Sequence, residues 1–264
     1  MAEVPVLDHY NIDNGVLAFT TTRTGGCSTG TYAAFNINSY CGDNMEAVAA
    51  NRKALCNLLD IGTDRLVMPH QTHGTEMRII DHTWQEHTPK EKAALLEGID
   101  CVMTNVPELC VGVSTADCIP ILLYDRSKRV VCAVHAGWRG TVMHITEKAI
   151  RTMAKAFSSQ PEHIHAIIGP GISMKHFEVG EEVYCQFKEA GFAMEDISVM
   201  QEKWHIDLPE CNKQQLTGCG IPETQIQMSR VCTFAQSDRY FSARRLGINS
   251  GRLFTGIMLK STRT

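Results

Sequence analysis

The stretch from Cys110 to Gly140 constrains this chain more than any other. Two apolar runs of strand length flank a short polar break at Arg126-Ser127-Lys128, the pattern of a β-hairpin. A two-residue loop at Arg126-Ser127 places Asp125 opposite Lys128, and counting back along both strands sets Cys118 opposite His135. Directly opposed residues hold their Cβ atoms about 5 Å apart. A thiol and an imidazole are therefore expected to meet at the open end of the hairpin.

The 264 residues, 44% of them hydrophobic, can build a sizeable core. Without repeats or a convincing linker, one domain over 1–264 is the simplest reading. The net charge of −4 gives no sign of a nucleic-acid surface. No run is apolar enough for a membrane span, and the N-terminus has neither the basic start nor the apolar run of an export signal. The eleven cysteines are scattered and mostly lie in apolar segments. They read as reduced thiols of a cytoplasmic protein, most of them small core residues.

Taken in order, residues 14–23 read as a strand, and the glycine-rich 24–30 segment as a loop whose spacing does not fit a dinucleotide fingerprint. A helix capped by Asp43 or Asn44 is expected to run to about residue 60. Met77 to Ile80 and Cys101 to Thr104 read as strands, and 82–97 as a surface insertion, helical around Lys90–Leu96. After Gly140, Val142, Ile145, Ala149, Ile150, Met153 and Phe157 fall at helical spacing, with Thr141 as the expected cap. Residues 163–168 read as a strand leading into a turn and Val231–Phe234 as a further strand, Glu178–Ala190 and Leu208–Thr217 read as helices, and the tail carries an apolar run within 251–259. The fold class is α/β (α+β), a single domain whose mixed β-sheet is flanked by helices.

His73, Cys118 and His135 each stand beside small residues, namely Gly74, Ala116, Ala136 and Gly137. Three nitrogen and sulfur ligands with a fourth position open make a catalytic zinc site. Two other readings compete. In one, Cys118 is a core thiol and the histidines are hydrogen-bonded loop residues. In the other, Cys118 is a nucleophile with His135 as its base, an arrangement with little use for His73. Arg139, just before the expected helix, is a candidate anion holder, or else it packs on Trp138 with its head in solvent. Asp117 either orients a ligand, caps a turn or acts as a base. His70 is an alternative ligand or a bystander. The His163-x-His165 spacing is one that copper oxidases use, but it stands alone here and reads as a surface pair. Arg244, Arg245 and Arg252 form a basic cluster with Arg239 nearby.

Several motifs occur in colinear order. They are Thr22-Arg23-Thr24-Gly25-Gly26, Phe35-Asn36, Gln71-Thr72-His73-Gly74, Thr115-Ala116-Asp117-Cys118, His135-Ala136-Gly137-Trp138-Arg139-Gly140, Gly169-Pro170 with Phe177-Glu178-Val179-Gly180, and Phe241-Ser242-Ala243-Arg244-Arg245. Together they resemble the laccase-domain family, also called multicopper polyphenol oxidase or peptidoglycan-editing-factor-like proteins, over residues from about 16 to 259. The resemblance implies a zinc site at His73, Cys118 and His135, with catalytic roles for Cys118, Arg139 and Asp117. It implies substrate contacts at Arg23, Asn36, Arg244 and Arg245, and a fold like the catalytic domain of cytotoxic necrotising factors.

The implied activity is phosphorolysis of purine nucleosides (adenosine, inosine, guanosine, methylthioadenosine) together with deamination of adenosine. The implied partners are thus a small nucleoside and phosphate, with neither nucleic acid nor membrane. Copper-dependent polyphenol oxidation and cysteine-dependent editing of peptidoglycan precursors are the alternatives the resemblance carries. Asn38, where the family usually has Gly, Tyr40, where a His is common, Ala243 and Met174-Lys175-His176 depart from the family pattern, and they bear on substrate preference more than on metal binding.

Overall fold

The computed structural model describes residues 4–261. Residues 1–3, the start of the stretch read above for an export signal, lie outside that range, as do 262–264 at the end of the expected domain. Among the described residues, fourteen strands run in chain order. They are β1 (Leu7–Tyr10), β2 (Val16–Thr21), β3 (Leu66–Val67), β4 (Met77–Ile79), β5 (Cys101–Thr104), β6 (Cys110–Thr115) and β7 (Ile119–Asp125). There follow β8 (Val130–Ala136), β9 (Ile164–Ile168), β10 (Glu178–Val179), β11 (Ser198–Met200), β12 (Trp204–Ile206), β13 (Ile226–Met228) and β14 (Leu253–Leu259).

Two mixed sheets dominate, one of five strands in the order β1-β2-β14-β6-β3 and one of six in the order β13-β9-β7-β8-β5-β4. A third sheet of three short strands, β10-β12-β11, lies apart. The period-two alternation of strand side chains builds the layers. Val131 and Ala133 of β8 pack with Leu122, Tyr124, Val111 and Val113 between the two large sheets. Val130, Cys132 and Val134 point the other way and pack with Ile145, Ala149 and Met153 of the Ile145–Phe157 helix. Leu55 and Leu59 of the Met45–Leu59 helix cover the outer face of the five-stranded sheet through Phe19, Cys110 and Phe254. The α/β class is as expected, with two stacked sheets in place of one. Among the described residues no helix is long and apolar enough to cross a membrane.

Asn44 caps the Met45–Leu59 helix by accepting from the Glu46 and Ala47 amides. Thr141 caps nothing, because it lies inside a short helix, Trp138–Val142, that begins after Gly137. His144, at φ +57, separates this turn from the Ile145–Phe157 helix. The apolar spacing marks the second helix correctly, but the chain turns once more before entering it. Residues 231–234 form no strand, and Cys232 makes a single bridge to Gly171.

The hairpin register also differs from expectation. Asp125 pairs with Val130, so Pro120 and not Cys118 stands opposite His135. A two-residue hairpin loop takes a type I′ or II′ turn, which needs positive φ at the first central residue or at both, a conformation that Arg126 and Ser127 adopt poorly. The loop instead takes four residues, in which the Asp125 carboxylate accepts from the Ser127 and Lys128 amides and only Arg129 takes a left-handed φ of +51. A slip of two residues keeps every side chain on its face, so Cys118 stays on the His135 side, as a diagonal neighbour beyond the last pair. The first apolar run divides as well. Its first half, β6, belongs to the five-stranded sheet and its second half, β7, to the six-stranded one. Cys118 sits at the crossing between them.

Candidate metal centre and its cavity

Three segments converge at that crossing. The 116–118 turn brings Cys118, the end of β8 brings His135, and the loop after β3 brings His73. One ligand atom from each lies within 4.8 Å of the other two, the only such group among the described residues. A tetrahedral zinc site with bonds of about 2.0–2.3 Å separates its ligand atoms by about 3.3–3.8 Å. The three side chains need close by at most about 1.5 Å to meet that geometry. Two imidazoles and a thiolate suit zinc and copper alike.

Asp100, at the head of β5, organises the centre and was not singled out from the sequence. It is fully buried. Its Oδ1 accepts from His135 Nδ1–H at 2.7 Å and from the His73 amide at 3.1 Å, and its Oδ2 accepts from the Gly74 and Thr72 amides at 2.8 and 3.2 Å. One carboxylate therefore sets the tautomer of His135, leaving Nε2 for a metal, and holds the loop in which His73 takes a left-handed φ of +62. The available signal was chemical. A carboxylate in Gly-Ile-Asp-Cys, at the start of an apolar strand, must find partners if it is buried.

Electrostatics follow from this crowding. Burial by itself would raise the Cys118 thiol, but His135 and His73 beside it outweigh burial and bring it down to about 6. Burial would lower His135, but Cys118 and Asp100 outweigh it and raise the imidazole to about 9. The thiolate is the form that ligates and reacts. With metal stripped, alkylation of Cys118 by iodoacetamide should rise as pH climbs through about 6 and then level off. Buried Cys56, raised to about 11 by burial, should stay unreactive through the same range. Peptide mass spectrometry reads both, and a Cys118 rate still climbing steeply at pH 8 contradicts the thiolate assignment.

Gly137 forms the back wall. A methyl group there would lie 3.0 Å from His73 Cδ2 and 3.1 Å from Cys118 Sγ. Its φ of −67 suits any residue, so Gly137→Ala should fold while crowding the three ligands. Overpacking of this kind predicts roughly tenfold weaker metal binding, to be read by competition with a chromogenic chelator. Unchanged affinity would mean that the wall is soft.

The centre opens into a cavity of about 870 Å³ whose lining includes Tyr40, His70, Trp138, Phe177, Arg244 and Arg252. Of the residues expected to act there, Arg244 reaches it. Its guanidinium lies 5.7 Å above the Phe177 ring and meets only the Glu178 carbonyl, at 3.3 Å from each Nη. Arg139 is not among the lining residues; it is exposed and stacks on Trp138 at 4.2 Å. Arg23 donates to the Ala33 and Ser237 carbonyls, and Asn36 is buried and donates to Asp43. Arg245 lies over Phe234. None of these three lines the cavity. His70 bonds Glu97, and His163 and His165 lie outside the ligand group.

Asp117 lines the cavity, but both its oxygens are engaged, by the Thr233 hydroxyl at 2.7 Å and the Arg244 amide at 2.7 Å. Its φ of +85 makes the turn that presents Cys118. Strain of this kind persists only where surrounding bonds over-determine it.

A family model described as multi-copper polyphenol oxidoreductase laccase matches residues 17–260. The chain is 44% identical over 244 residues to a protein of Bacteroides thetaiotaomicron named purine nucleoside phosphorylase, covering 91% of this chain and 90% of that one. It is 40% identical over 263 residues to adenosine deaminase RL5 from an unknown prokaryotic organism, covering 98% and 100%. Among solved structures, YlmD from Geobacillus stearothermophilus matches with a TM-score of 0.87 at 27% identity, covering 94% and 93%. A Bacillus licheniformis protein described as YfiH matches with a TM-score of 0.86 at 30% identity, covering 94% of each chain.

Proposed function

The chain belongs to the multi-copper polyphenol oxidoreductase laccase family, and from that premise we propose that it is a zinc-dependent purine nucleoside phosphorylase with adenosine deaminase activity. The observation that carries this reading is the His73–Cys118–His135 cluster at the floor of a cavity that also presents Arg244. Relatives named for these two activities support it.

Zinc held by these three side chains would supply Lewis acidity, polarising water or a purine heteroatom. The protein's own groups do the rest. Asp100 keeps His135 in one tautomer and aims the His73 loop. Asp117 fixes the Cys118 turn and the Arg244 backbone together. Arg244, with most of its donors uncommitted, holds phosphate against the ribose carbon that it attacks as the carbon–nitrogen bond to the base breaks. For deamination the same cavity admits water and the adenine amino group leaves as ammonia.

The test is phosphate-dependent release of hypoxanthine from inosine by the purified protein, followed by chromatography alongside metal analysis. Activity should track zinc content and fall on treatment with a strong chelator. Full activity after exhaustive metal removal overturns the reading. The family's oxidase description favours a second reading, since the same ligands suit copper. Oxygen consumption with a phenolic substrate, tracking copper content, would select it.

A further inference from the structure

We infer that Tyr40 and His70 together form the platform on which the purine base stacks, an inference that rests on the proposed nucleoside activity. The two rings come from loops distant in sequence, yet they lie nearly parallel, with centroids 4.2 Å apart and 17° between planes. Both line the cavity that holds the His73–Cys118–His135 cluster. The pairing covers one face of each ring, and Tyr40 is 45% exposed at the rim.

The platform is built in advance. Asn38 Oδ1 accepts from the Tyr40 amide at 2.6 Å, while its Nδ2 donates to the Ser114 hydroxyl at 2.6 Å. Gln71, next to His70, is sewn to the same residue, donating to the Ser114 carbonyl and accepting from its amide, each at 2.8 Å. Both loops are thereby fastened to one point on β6. On the side of the imidazole, Nδ1 donates to Glu97 Oε1 at 2.8 Å. Rings ordered this way lose little freedom when a flat ligand lands on them.

The chemistry selects the ligand. Every nucleobase offers a π-face, and base–aromatic stacking is sequence-tolerant and strong enough to measure by alanine substitution. Arg244 and the metal ligands share the cavity with the stack, so a nucleoside laid on Tyr40 and His70 can turn its ribose toward them.

The experiment is steady-state kinetics of metal-loaded Tyr40→Ala and Tyr40→Phe, with inosine and phosphate varied separately. Tyr40→Ala should raise KM for inosine roughly tenfold and leave KM for phosphate and metal content alone. Tyr40→Phe, which keeps the ring, should restore the inosine KM. An unchanged inosine KM in Tyr40→Ala overturns the inference while leaving the nucleoside activity standing, and an equal rise in both KM values overturns it too. If the unaltered protein cleaves no nucleoside, the functional reading fails by itself. The platform is then decided by calorimetric titration with adenosine. Binding lost in Tyr40→Ala sustains it, and absence of binding to the unaltered protein overturns it.

Discussion

Cys118→Ala is expected to strip the purified protein of its metal and to lower phosphate-dependent inosine cleavage by more than about a hundredfold. The magnitude is a floor, because removing groups that merely orient metal ligands already costs about 10–100-fold. Cys118 supplies the only sulfur in the three-ligand group. Two imidazoles are a much weaker site, and His73 is exposed to competing water. The variant should still fold. Cys118 lies just before the start of β7 and is only partly buried, so its truncation removes little core. Circular dichroism, metal analysis and the inosine assay together decide the outcome. Retention of zinc with loss of activity would move Cys118 from ligand to nucleophile and revive the cysteine-amidase alternative. Retention of both would remove it from the site.

Asp100→Asn is the more severe structural test. Four N–H groups point at the two carboxylate oxygens. An amide replaces one oxygen with an NH₂ group, which must face donors on that side whichever way it turns. Leaving buried donors unpaired costs about 1–3 kcal/mol each, and breaking a buried ion pair from one side costs about 3–5 kcal/mol. A loss of about 3 kcal/mol in the chemical denaturation of the metal-free protein is therefore expected, with metal affinity falling about 10–100-fold. The carboxyl is fully buried, but the His135 bond and the loop amides keep it below its ordinary range and therefore ionised at neutral pH. A denaturation midpoint that does not move would mean that the His73 loop is held by something else. Measuring stability without metal separates the two effects, since bound metal stabilises whatever folded form it prefers.

What the sequence determined by itself was local or compositional. Continuous apolar runs marked the buried strands β7 and β8, since strands covered on both faces lose their alternation. The Asn44 cap and the apolar spacing of 145–157 are set within a few residues and were legible for that reason. His73, Cys118 and His135 were marked by residue type, small neighbours and a family resemblance, and the structure gathers them. The tertiary structure alone decided how they meet. The hairpin register depended on a turn that Arg126 and Ser127 could not make in two residues. A single apolar run became strands of two different sheets because Asp117, pinned by Thr233 and Arg244 more than a hundred residues away, turns the chain between them. Asp100 was hidden because its partners, at 72–74 and 135, become neighbours only on folding. The sequence left Arg139 between an anion holder at a helix start and a side chain packed on Trp138, and only the tertiary structure chose the second. The residues able to hold a metal can therefore be read along the chain. The groups that aim them come from distant segments, and only packing brings those together.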